Sequence, residues 1–153
     1  MTVADPPAES ETLKRFKTVY AEGNRAWNEH DMERAYGGLP DDFVYQLGPA
    51  WPEAGRVFHG SGEIIAFFNG LVEIFPDAQS GPITYIEVDK RTIITGFEVR
   101  GTGSESGTRT EMEVWQVWEI ADDLRPVRVI EYVDCQAALK AAAAKEPGED
   151  SAR

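Results

Sequence analysis

Residues 62–75 form a helix with no polar face. Ile64, Ile65, Phe67, Phe68, Leu71, Val72, Ile74 and Phe75 fall nearly all round it, and a helix of that kind must be buried on most sides. Ser61 is placed to cap its start, and Pro76 stops it. Any fold of this chain therefore needs a surface able to wrap around one helix. The following sequence supplies it, with strand-like runs expected at 83–89, 91–101, 108–121 and 124–133. The polar loop 101–107 turns one of the hairpins.

Upstream, a helix is predicted over 11–28, with Leu13, Phe16, Tyr20 and Trp27 at helical spacing. Asp31 caps a short second helix through Tyr36, which Gly37, Gly38 and Pro40 end. Residues 43–47 read as a strand. A Pro/Gly loop around Trp51 follows, and Val57 and Phe58 can form a short strand. The Ala-rich stretch 136–145 reads as a terminal helix. Residues 1–10 and 146–153 read as disordered tails around a single domain, 11–145. Three N-terminal helices packed on a strongly curved, antiparallel or mixed sheet make an α+β layout. A curved sheet wrapped on a long helix makes a cone, and the mouth of a cone is a natural ligand pocket.

Strand phase carries the chemistry. One face of 112–120 reads Met112, Val114, Gln116, Trp118, Ile120; one face of the next run reads Val127, Val129, Glu131, Val133. Each apolar stripe holds one polar side chain. In a hairpin, Glu131 falls opposite Gln116 or on the diagonal from it. A carboxylate in an apolar cavity is costly unless paired, and desolvation raises its pKa toward a range useful for proton transfer. Glu131 is thus a candidate base, with the alternative that it only accepts hydrogen bonds and orders its strand. Gln116 either holds a substrate carbonyl and orients Glu131 or is a satisfied core amide. Tyr20 either offers its hydroxyl to the cavity or is core, and Tyr45 on the first strand carries the same pair of readings.

The net charge of −12 over 153 residues argues against nucleic-acid binding and against anionic membrane surfaces. No stretch is long enough to span a bilayer, and the acidic start is not a signal peptide. Cys135 is the sole cysteine, so no internal disulfide forms; a cytoplasmic setting fits. His30, in an exposed interhelix loop, and His59 are isolated, so no metal site is expected. Neither a phosphate loop nor a nucleophile elbow is present, and no cofactor is expected. Trp115 stands on the opposite face from Gln116, with Glu113 and Val117. A large aromatic there needs a cover, which suggests a homodimer through the outer sheet face.

Several local stretches resemble the nuclear-transport-factor-2-like superfamily, and within it the SnoaL-like and ketosteroid-isomerase-like proteins. They are Trp27-Asn28-Glu29-His30-Asp31, Phe58-His59-Gly60, Phe75-Pro76-Asp77, Val99-Arg100-Gly101-Thr102-Gly103 and Glu131-Tyr132-Val133-Asp134. The likeness runs from about residue 13 to 139. It implies the cone fold, and its members include isomerases, dehydratases, cyclases and non-catalytic binders. Ketosteroid isomerases use an Asp base, a Tyr donor and a protonated Asp donor. Those positions fall here on Leu47, Gly23 and Gln116, so that site is not reproduced. In SnoaL-type cyclases the working carboxylate lies on the last strand, at or beside Glu131, and a His occupies the place of Gln116. The resemblance implies a pocket for a small hydrophobic, carbonyl-bearing molecule, lined by Trp27, Tyr45, Trp51, His59, Phe68, Val114, Trp118 and Val129. His59 also reads as a turn or cap element. Three functions follow: a cofactor-independent isomerase, dehydratase or cyclase using Glu131, Gln116 and Tyr20; a non-catalytic ligand-binding or accessory dimer; or a dimerising interaction module whose cone is filled by its own side chains.

Overall fold

The computed structural model describes residues 9–144. Four helices and seven strands alternate as α1 (Glu11–Asn28), α2 (Met32–Tyr36), β1 (Val44–Gln46), β2 (Val57–His59), α3 (Ser61–Ile74), β3 (Gln79–Ser80), β4 (Thr84–Asp89), β5 (Thr92–Thr102), β6 (Arg109–Ile120), β7 (Pro126–Tyr132) and α4 (Cys135–Ala144). The Ser10 side chain caps α1 by accepting the Leu13 N–H, and Asp31 caps α2 by accepting that of Arg34. Residues 9 and 10 of the expected N-terminal tail are thus tied to α1; the rest of both tails lies outside the described residues.

The sheet runs β2-β1-β7-β6-β5-β3, with β4 also on β5. All pairs are antiparallel except β1 with β7. One half of β5 pairs with β4 and the other half with β3, so the sheet bends across β5. Gly96 sits at the bend, where a Cβ would come within 2.2 Å of the Trp115 ring. The main core lies between the concave face and the helices, built on residues such as Trp27, Met32, Phe43, Tyr45, Phe68 and Trp118.

Four expectations change. Ser61 is the first residue of α3, and Gly60 (φ 79°) takes the cap position without a side-chain bond. Glu63 reaches back instead to accept the His59 N–H at 2.9 Å. Only Ile64, Phe68 and Leu71 of α3 are fully buried, while Ile74 is 57% exposed. The sheet curls over one face of this helix and leaves the rest half-covered. His30 is half-buried rather than exposed, with φ 63° and its Nε2 2.9 Å from the Ala78 carbonyl. On the outer sheet face, α4 seats Ala138 and Ala142 against Ile94 beside Trp115, Val117 and Tyr132. The cover that Trp115 demands comes, over these residues, from the chain itself.

Candidate active site

The β-register lines up a polar row across the concave face. Gln116 on β6 stands directly opposite Glu131 on β7 and opposite Thr95 on β5. Tyr45 on β1 pairs with Val129, two residues before Glu131. Because side chains alternate along each strand, four neighbouring strands aim Tyr45, Glu131, Gln116 and Thr95 at the same interior.

Glu131 is 4% exposed and accepts four hydrogen bonds. The Tyr45 hydroxyl donates to its Oε2 at 2.5 Å and Gln116 Nε2 at 2.8 Å. The Gly48 N–H donates to Oε1 at 3.0 Å and Trp51 Nε1 at 2.7 Å. The loop after β1 thereby folds back onto the carboxylate. Gly48 is needed for this approach, since a Cβ there would lie 2.8 Å from the Glu131 Cβ. Burial pushes the Glu131 pKa up, and the four donors only partly oppose it.

Gln116 is the second hub. Its Nε2 also lies 3.3 Å from the Tyr45 oxygen. Its Oε1 accepts from the Tyr20 hydroxyl at 2.7 Å, the Thr95 hydroxyl at 2.7 Å and Trp118 Nε1 at 2.9 Å. The orientation of the amide follows from these partners, because the reverse would aim its NH₂ at the Trp118 N–H, which can only donate, and its oxygen at the Glu131 carboxylate. A carbonyl oxygen has two lone pairs, so three donors compete for them. The Trp118 N–H also reaches Thr95 Oγ1 at 3.1 Å. Thr95 and Trp118 are fixed in the sheet, whereas Tyr20 comes from α1. Burial keeps the Tyr20, Tyr36 and Tyr45 phenols protonated, well above their ordinary range.

A cavity of about 300 Å³ lies between α1 and this row. Its walls are mostly apolar, with Phe16, Trp27, Phe68 and Phe97 among them, and Tyr20, Tyr45, Trp51, Gln116 and Trp118 also line it. Arg15, Val19, Leu124 and Pro126 lie on its more exposed side. Glu131 is not part of the lining; its bonding partners Tyr45, Trp51 and Gln116 are. Val114 and Val129, expected as lining, are buried elsewhere in the core. His59 is exposed at the end of β2, away from the cavity, because its strand turns Phe58 inward instead. Thr95, Gly48, Asn24 and Ser80 belong to the site or its walls and escaped the sequence reading. Thr95 shares its face with Ile93, Phe97 and Val99, but β5 is buried on both faces near it, so no lone polar residue stood out. Among the described residues, no group of three or more His, Cys, Asp or Glu side chains is placed to hold a metal ion. No helix among them is long and apolar enough to cross a membrane.

Solved structures share the fold at low identity. A polyketide cyclase candidate from Xanthomonas campestris pv. campestris aligns with a TM-score of 0.66 and 16% identity, over 83% of this chain and 96% of that one. A protein of the nuclear-transport-factor-2-like fold and unknown function from Burkholderia pseudomallei aligns at 0.65 and 19%, over 86% and 97%. SalBIII, an epoxide hydrolase/cyclase-like enzyme in pyran ring formation in the polyether salinomycin, aligns at 0.64 and 14%, over 81% and 94%. At such identities the likeness concerns fold alone. No curated protein matches the chain. The SnoaL-like domain family matches residues 20–128, from the second half of α1 into β7. With that stretch covering most of the chain, and the curved mixed sheet behind it, the protein belongs to the SnoaL-like domain family.

Proposed function

We propose that the cavity binds a small hydrophobic ketone and that the protein catalyses its enolisation, the step shared by isomerisation, dehydration and cyclisation. The observation that carries this reading is the surplus of donors on Gln116 Oε1. The Tyr20 hydroxyl can leave that oxygen for a ligand carbonyl, because Thr95 and Trp118 still satisfy the amide. A neutral phenol aimed at a developing enolate oxygen stabilises it where water is excluded. On the sheet side, Tyr45 lines the cavity and its hydroxyl donates to Glu131 Oε2. The α C–H bond breaks, a new O–H bond forms at Tyr45, and the phenol's own proton passes to Glu131 Oε2. The electron pair of the C–H bond becomes the enolate. Return of a proton to the γ carbon of a β,γ-unsaturated ketone completes an isomerisation.

The test is a panel of β,γ-unsaturated cyclic ketones such as 3-cyclohexen-1-one, followed by the absorbance that grows as conjugation forms. Acceleration over buffer is the expected result. Binding without acceleration would favour a second reading, a non-catalytic binder. One observation supports that alternative: Glu131 is ringed by donors and does not touch the cavity.

A further inference from the structure

One part of the cavity wall has no role in the chemistry above. Asn24 lies one turn after Tyr20 on α1, and both line the cavity, as does Ser80 on β3. The Ser80 hydroxyl donates to Asn24 Oδ1. The Ser80 backbone is held by another residue: Asn28 Oδ1 accepts its N–H at 2.8 Å, and Asn28 Nδ2 donates to its carbonyl at 3.0 Å. Asn24 Nδ2 reaches that same carbonyl only at 3.4 Å. Asn28 therefore does the work of fixing β3 to α1, and the amide N–H groups of Asn24 are left with one long bond. Asn is a poor helix former in a helix interior, so local propensity does not explain its presence.

We propose that Asn24, with Ser80 orienting its amide, is a second oxygen-recognition station, and that the natural ligand carries oxygen functions at two separated positions. This rests on the reading in which Tyr20 takes the carbonyl oxygen. Positions four apart on a helix are about 6 Å apart along its axis. A ring system held between α1 and the apolar walls can meet Tyr20 with a ketone oxygen and Asn24 with a hydroxyl or second carbonyl. Oxygens on adjacent atoms cannot reach both. The Asn24 N–H groups donate to the second oxygen, and the Ser80 hydroxyl keeps Oδ1 occupied.

The experiment uses quenching of Trp27, Trp51 and Trp118 fluorescence by three ketones: 1-tetralone, 6-hydroxy-1-tetralone and 8-hydroxy-1-tetralone. Wild type should bind the 6-hydroxy compound about five- to tenfold more tightly than 1-tetralone, the worth of one added hydrogen bond. Asn24→Ala should erase that preference, read as the ratio of the two affinities, and saturable quenching by 1-tetralone shows that the cavity is intact. Equal affinities in wild type, or a preference that survives Asn24→Ala, overturn the second station and leave the Tyr20 reading standing. Failure of every tetralone to bind overturns both. Should Asn24→Ala not fold, wild type alone decides. The 8-hydroxy isomer, with its two oxygens side by side, must bind no more tightly than 1-tetralone, and tighter binding refutes the proposal.

Discussion

Glu131→Gln is expected to lower ketone isomerisation by about 10²–10⁴-fold, the usual range for loss of a positioned acid–base group, with little change in KM. The split follows from position. Tyr20 and Tyr45 line the cavity, whereas Glu131 stands one layer behind and, in the proposed mechanism, acts by receiving the Tyr45 proton. A glutamine cannot receive it. Tyr45→Phe should cause a loss of similar size, because the relay needs both members, and combining the two substitutions should add little further. Tyr20→Phe removes the oxygen donor and should cost about 10²–10³-fold. In wild type, kcat/KM should rise with pH as Glu131 loses its proton, along a limb lying above the ordinary glutamate value that Glu131→Gln lacks. If Glu131 served only to order the strands, its substitution would lower the folded fraction but leave the rate per folded molecule unchanged. Active-site titration with 1-tetralone separates those outcomes.

Glu131→Ala should destabilise the fold by several kcal/mol, because each buried donor left without an acceptor costs about 1–3 kcal/mol. Four donors lose their acceptor at once: the Tyr45 hydroxyl, the Gln116 amide, the Gly48 N–H and the Trp51 indole N–H. The loop around Trp51, which holds to the core through two of these bonds, should loosen first. Glu131→Gln should cost less, about 1–3 kcal/mol, since one oxygen remains and only its NH₂ faces donors. Urea melts of the three proteins at constant pH measure both numbers. The pH dependence has a definite sign. A carboxyl whose folded pKa is raised contributes stability that is complete below the unfolded value of 4.5 and is lost as pH rises through the raised value. Wild type should show that decline and Glu131→Gln should not. Asp77 acts in the opposite sense: the Thr102 backbone N–H bond lowers its pKa, so its contribution is present above the unfolded value of 3.8 and lost as pH falls through the lowered one.

Local chemistry made much of the fold legible. Apolar spacing over about 11–28 predicts α1, and the Asp31 cap with the breakers Gly37, Gly38 and Pro40 predicts α2. The alternation on β6 and β7 predicts that Gln116 and Glu131 share the inner face, and they pair directly. What escaped depends on contacts far apart in sequence. The parallel β1–β7 pair joins segments more than 80 residues apart, and no local pattern encodes it. The same holds for the Gly48–Trp51 loop, which seals Glu131 away from the cavity it was expected to line. β3 is two residues long and has no period of its own. His59 and Phe58 differ by one position, and strand phase sends the phenylalanine inward. Trp115 signalled a covered face, but not that α4 would cover it.

The proton-accepting role of Glu131 is tested most directly by NMR titration of its side-chain carboxyl in protein labelled with carbon-13 glutamate, assigned by difference against Glu131→Gln. Titration above 4.5 is the predicted result, because burial outweighs the donors. A carboxyl that ionises at or below that value would be a fixed anchor for the Trp51 loop, and the enolisation chemistry would lose its base.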